Sequence, residues 1–327
     1  MIPRPSAVRA ALVVLVLACG CSKNASRVAG PRGDNGGDHL LTFRSDRGGT
    51  TGQYDLYLYD LDAGGYRSLG VLNSGYDESE PCVSNDGNYV TFASNRPGGL
   101  GGYDVYLYDR LQDALIPLPN LNSAANETNP RFTYDSVHLA FVTDVSGNQR
   151  VRLYEPLGDS LIALPNLAAS GPYDDTAPAP DLSGNRIAFQ SNRTGRRHVY
   201  VWDRAMNGLL SLPGIVSDSE EVEPALTSDG RWLSFASSRA GGAGGWDVYE
   251  YDLAADTLVS LPNANTAGDE RHPTLSADGQ ILFFQARTSP AAKYDIWEYS
   301  RATSALSQPT GLPSVAGDDT QPYVRWR

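Results

Sequence analysis

Apolar side chains come in short runs separated by Gly, Asp, Asn and Ser, and the clearest run recurs six times. It reads YDLYLYD from Tyr54, YDVYLYD from Tyr103, RVRLYE from Arg150, HVYVWD from His198, WDVYEYD from Trp246 and YDIWEYS from Tyr294. In the first two, Leu or Val alternates with Tyr, so both faces are largely apolar, as in a strand covered on two sides. Ahead of each run lies a strand carrying a phenylalanine: Phe43, Phe92, Phe141, Phe189, Phe235, and Phe283 or Phe284. A Ser-x-Arg turn joins the two in four units, with Arg47, Arg96, Arg193 and Arg239, and Arg287 is taken as the sixth-unit counterpart. The phenylalanine strand is in turn preceded by a tight reversal such as Asp86-Gly87, Asp229-Gly230 or Asp278-Gly279, which suits a hairpin. A fourth strand closes each unit. Pro117 within Leu115-Ile116-Pro117-Leu118 points to an outer, edge position for it.

The units are in register with a proline that follows an acidic residue by three positions: Glu78, Glu127, Asp175, Glu221, Glu270 and Asp319 before Pro81, Pro130, Pro178, Pro224, Pro273 and Pro322. The prolines lie 49, 48, 46, 49 and 49 residues apart. Four strands in such a repeat make one blade of a β-propeller. The first unit starts at its second strand, His39-Leu40-Leu41-Thr42-Phe43, and the chain ends in a lone strand from Gln321 to Arg327. Pairing that tail with the first unit predicts an all-β, six-bladed propeller of four-stranded blades whose first blade is closed by the C-terminal strand.

The phrase Glu80-Pro81, Ser84-Asn85-Asp86-Gly87, Phe92, Ser94-Asn95-Arg96 and Tyr103-Asp104-Val105-Tyr106 resembles the WD-like repeats of the TolB propeller family. The same phrase, with the Pro-Gly-Gly-x-Gly-Gly stretch at 97–102, also occurs in repeats attached to OmpA-like envelope proteins. The resemblance covers residues 38–327 and implies the propeller fold. TolB carries a mixed α/β domain before its propeller, where this chain has only residues 22–37, and the OmpA-like domain has no counterpart here, so specific roles of those relatives do not transfer.

Composition adds a setting. Arg4 and Arg9 precede nine apolar residues, Ala10 to Ala18, and then Cys19. That run is too short to span a bilayer and reads as a signal peptide, residues 1–18. Val16-Leu17-Ala18-Cys19 resembles the lipobox of bacterial lipoproteins, which implies acylation of Cys19, with Cys21 after Gly20 as the alternative. Residues 19–37, polar and Gly-rich, read as a lipid-anchored tether, and 38–327 as the propeller. Cys82 is the one cysteine in the body and reads as a small buried hydrophobe. The formal charge of −12 argues against nucleic acid and against anionic lipid surfaces as partners.

In blade geometry the acidic phrases ring one mouth of the central tunnel. Positions four and three before the prolines hold Asp77/Glu78, Asn126/Glu127, Asp174/Asp175, Glu220/Glu221, Asp269/Glu270 and Asp318/Asp319, eleven carboxylates in twelve positions. Position three is expected to pair with Arg47, Arg96, Arg193, Arg239 and Arg287 or with turn N–H groups, locking the blades. Position four (Asp77, Asp174, Glu220, Asp269, Asp318) has no assigned partner and is expected to form a binding surface for a basic peptide segment or envelope protein. In the third unit Val145 replaces the arginine and Arg150 the aspartate seen at Asp55, Asp104, Asp247 and Asp295, which suggests an Arg–Asp bridge within the other blades. The fourth unit, with Arg193 but His198, is the exception.

Motifs for a nucleophile elbow, a zincin, a phosphate loop or a C-x-x-C pair are lacking, and the four histidines are scattered; His272, beside Pro273, is the one placed at the mouth. The reading is a monomeric, lipid-anchored envelope module that binds protein or peptide without catalysis and needs no cofactor. The alternative is a carbohydrate-active lyase or hydrolase using a divalent cation at the acidic mouth.

Overall fold

The computed structural model of the chain describes residues 39–48, 54–167, 171–215, 217–312 and 317–326. The expected signal peptide and tether, with Cys19 and Cys21, lie outside them. Six antiparallel four-stranded sheets form the described chain, and no helix is present among the described residues. Each sheet runs from an inner strand to an outer one in chain order, except the first. There the C-terminal strand Asp319–Trp326 takes the inner place beside His39–Ser45, with His39 opposite Trp326 and Ser45 opposite Asp319. This is the six-bladed ring that the repeat predicts, closed by the tail.

Alternation explains the packing. Phe92 on the second strand of its blade faces Tyr106 on the third, and the rings stack at 5.5 Å; Phe43–Tyr57, Phe189–Tyr200 and Phe235–Tyr249 repeat the pair at 5.5, 5.8 and 5.9 Å. Residues on the other face, such as Val105 and Leu107, are buried against the neighbouring blade. Burial of both faces removes apolar surface at about 25 cal/mol per Å², and this is what holds sheets radially that share no strand.

The inner strands carry a feature that the alternation does not reveal. All six are interrupted by a bulge at the residue before the proline. A proline has no N–H for the ladder, and it is tolerated on these inner strands because they are sheet edges and because the bulge leaves its place unpaired. Glu80, Asn129, Ala177, Glu223, His272 and Gln321 sit there in the left-handed region, with φ between 49° and 57°.

Candidate binding site in the central tunnel

Position three before each proline is buried in every blade. Arg96 reaches Glu78 at 2.9 Å, Arg193 reaches Asp175 at 2.7 Å, Arg239 reaches Glu221 at 3.3 Å, and Arg47 pairs with Asp319. Each arginine also lies over its blade's Phe–Tyr pair; the Arg96 guanidinium is 4.9 Å from the Phe92 and Tyr106 centroids. The serine of the Ser-x-Arg turn fixes the approach, since Ser94 Oγ accepts from both N and Nε of Arg96. In the third blade, where Val145 stands for arginine, Glu127 is held instead by the hydroxyls of Ser123 (2.6 Å) and Thr143 (2.9 Å).

The sixth blade differs from the sequence reading. Glu270 pairs across the ladder with Ala286, the place Ser94 takes opposite Glu78, so Arg287 stands one residue early, at the position of Asn95. It therefore bonds Asp269, at 2.6 and 2.8 Å, and not Glu270. Among the described residues Glu270 keeps only the Thr266 hydroxyl and N–H, and burial pushes its carboxyl up to about 7. The expected Arg–Asp bridges within blades are also corrected: Asp104 accepts from the N–H groups of Leu100 and Gly101, and Asp247 from those of Ala243 and Gly244. Arg150 donates to the carbonyls of Gln149, Tyr173 and Gly171, and His198 bonds Glu221 of the next blade.

Position four has partners after all. Asp77, Asp174, Asp269 and Asp318 accept from the N–H of Tyr54, Gln149, Trp246 and Tyr294, each the residue just before the third strand of the preceding blade, at 2.8–3.3 Å. Asn126 does the same to Tyr103 at 3.0 Å. The backbone N–H of position three donates to the carbonyl of that same residue at all six seams, at 2.7–3.0 Å. Glu220, one methylene longer, is the only one of these acids whose side chain makes no such bond among the described residues. The ring of acids at the mouth is thus largely a set of blade-to-blade clasps.

Inside the ring, the bulge residues form a second one. Asn129 N–H donates to Glu80, Ala177 N–H to Asn129 Oδ1, His272 N–H to Glu223 and Glu80 N–H to Gln321 Oε1, each reaching the preceding blade. Where that blade offers no acceptor at this level, a glutamine one strand out replaces it: Gln190 receives the Glu223 N–H at 2.9 Å and Gln285 the Gln321 N–H at 2.9 Å. These six residues line a cavity of about 90 Å³ with Arg131, Ala179, Ala225, Thr274 and Tyr323 below them. Burial acts to raise the Glu223 carboxyl, but His272 and Arg271 hold it below the ordinary glutamate value. His272 is driven down to about 4 by burial, so its ring is neutral at pH 7 and Arg271 is the cation that balances Glu223.

Tyr134 closes the far end. It comes from the third blade, and its hydroxyl bonds the carbonyls of Leu226 and Leu275, in the fifth and sixth, at 2.9 and 3.3 Å. The third and sixth blades are opposite in the ring, so the side chain crosses the axis. Arg325 backs it, lying 4.5 Å from the Tyr134 ring centroid.

Solved structures share this architecture. TolB from Acinetobacter baumannii matches 90% of this chain and 68% of its own with a TM-score of 0.67 and 17% identity. The fold is that of a TolB-like propeller. A second TolB structure, from Agrobacterium tumefaciens, matches 89% of this chain and 99% of its own, at a TM-score of 0.64 and 15% identity. An oligogalacturonate lyase in complex with manganese matches 75% and 71% at a TM-score of 0.53 and 13% identity. At these identities the likeness is one of fold. The sequence matches no protein-family model and no curated protein.

For this TolB-like propeller the residues that sequence reading missed are those just before and after each proline: Glu80, Asn129, Glu223, Gln321 and Arg131. Only His272 among the bulge residues drew notice. The available signal was the proline itself, which within a strand points to a sheet edge or a bulge, and a bulge turns the preceding side chain out of the alternation. Among the described residues no three His, Cys, Asp or Glu side chains converge as a metal site would need.

Proposed function

We propose that the chain is a non-catalytic binding module of the bacterial cell envelope, anchored by a lipid on Cys19, and that it receives its partner at the open end of the tunnel. One observation carries this reading. The mouth acids are spent on clasping blades together, whereas the tunnel behind them is a preformed, polar-lined cavity stopped at its far end by Tyr134. Such a cavity suits the insertion of a side chain or chain end. The likeness in fold to two TolB structures supports an envelope role for the same disc, and the Ala18-Cys19 junction supports the anchor.

The test compares wild type with Glu80→Gln and His272→Ala for capture of envelope proteins, each variant checked for an unchanged melting temperature. A partner held by wild type and lost by the rim variants supports the reading. Equal capture by all three removes the tunnel from it. Membrane fractionation of Cys19→Ala checks the anchor: release into the soluble fraction is expected, and retention by Cys21 would move the site.

The competing reading, a cation-assisted lyase or hydrolase of acidic carbohydrate, draws on the fold shared with the manganese-bound lyase and on the His272–Glu223 contact at 3.1 Å. Cleavage of oligouronides with added manganese, abolished by Glu223→Gln, would establish it in place of the binding role.

A further inference from the structure

The protein is acidic as a whole, yet arginines gather around its tunnel. Glu80 and Glu223 are the two carboxylates among the bulge residues, and Glu223 is matched by Arg271. Three more arginines stand around the tunnel without an ion pair among the described residues. Arg131, in the cavity wall, spends one nitrogen on the carbonyls of Glu80 and Pro130. Arg44 donates to the Thr320 hydroxyl at 3.1 Å, and its charge is felt at both Glu80 and His272. Arg325 is only 1% exposed and donates to the Tyr134 carbonyl, while its Nε and Nη1 have no partner. Burial also pushes the Glu80 carboxyl up, toward its neutral form. Arg131 and Arg44 thus share at most the one carboxylate of Glu80, while Arg325 lies behind Tyr134, where Asp229 also acts. An unbalanced buried cation is costly, and an anion brought into its field recovers part of that cost.

Shape adds a second constraint. On the first and third blades the cavity wall is filled by Tyr323 and Arg131, the guanidinium lying 5.5 Å from the Tyr323 ring. On the fourth and fifth it is lined by Ala177, Ala179, Pro180, Ala225 and Leu226, small and apolar. The free space of about 90 Å³ thus has a cationic side and an aliphatic side, and Tyr134 prevents a chain from passing through. Only an end can enter.

We infer that the tunnel captures a carboxylate borne on a short aliphatic group, with the carboxylate against Arg131 and the aliphatic part against Ala179, Ala225 and Leu226. Two sources offer this chemistry: a small free carboxylic acid, and the C-terminus of a peptide ending in a small aliphatic residue. The inference rests on the tunnel being the binding site and names what it would bind.

Calorimetric titration of the intact propeller decides it, with four probes: isobutyrate, a tripeptide ending in alanine, the same tripeptide amidated, and isobutylamine. Saturable binding of an acid, weakened at least about tenfold by amidation of the peptide or by Arg131→Gln, is the expected result, since a hydrogen bond to a charged group is worth about 1.5–3 kcal/mol. Ala225→Leu, which fills the aliphatic side, should abolish binding whether or not Arg131→Gln folds well. Isobutyrate binding without the peptide identifies the free acid as source, and peptide binding with weak isobutyrate binding identifies the chain end. Equal affinity for acid and amide, preference for the amine, or no binding by any probe up to about 10 mM, an affinity below about 3 kcal/mol, overturns the inference. If the probes fail while envelope partners still depend on Glu80 and His272, the binding reading survives without it; if both fail, the tunnel is not the site.

Discussion

A single residue step separates the two ways an arginine is used at the mouth. Arg96 sits over an aromatic pair and neutralises a buried glutamate, whereas Arg287, one position early, neutralises the aspartate beside it and leaves Glu270 with a threonine. Removing the charge of Glu78 by Glu78→Gln strands Arg96 in a site where it is 10% exposed, and is expected to cost roughly 2–4 kcal/mol in urea unfolding. Glu220→Gln, at the uncommitted position, should stay within about 0.5 kcal/mol of wild type. Glu270 gives a pH signature instead. Its folded carboxyl is raised, from 4.5 to about 7, so the folded state holds a proton that the unfolded chain has released. That contribution is full below about pH 4.5 and is lost as pH rises to about 7. Wild type should therefore lose stability relative to Glu270→Gln between pH 5 and 7.5, as read from unfolding midpoints; parallel curves would show that the raised carboxyl is absent.

At the level of the strand, the repeated proline has a cost and a use. Each bulge places a non-glycine residue at positive φ, a conformation that disfavours an L side chain by roughly 1–2 kcal/mol. The return is a side chain turned toward the axis and an N–H turned toward the preceding blade. Ala177 is the one that uses neither acceptor nor charge. Ala177→Gly keeps its N–H bond to Asn129 and relieves the strain, so it should hold or raise stability by up to about 1 kcal/mol, against the loss that glycine causes within an ordinary strand. Thermal melting of the variant checks this. The strands, turns and order of the blades were legible because alternation and tight-turn residues act locally and repeat six times. The bulge was not, since an edge position alone would accommodate a proline in a strand, and here the strand has both the edge position and the bulge. The position-four acids were misjudged for a related reason. Their partners are backbone N–H groups of another blade, about two dozen residues away, and no side-chain pattern marks those.

For the whole ring, closure depends on a strand from the far end of the sequence. Deleting residues 321–327 removes Tyr323 and Val324 from the core, the Arg325 brace of Tyr134, and the inner edge of the first blade. Each large apolar side chain lost from a core costs about 2–5 kcal/mol, against a typical margin of about 5–15 kcal/mol. The truncated chain is expected to lose its cooperative melting transition, and an unchanged transition would contradict closure. The same pairing fixes a direction. His39 lies opposite Trp326, at the Tyr134 end of the tunnel, while Ser45 lies opposite Asp319 at the mouth. The first described strand therefore begins at the closed face of the disc. The start of the first described strand and the opening of the tunnel thus lie on opposite faces of the disc, so a partner seated at the mouth would leave that start uncovered.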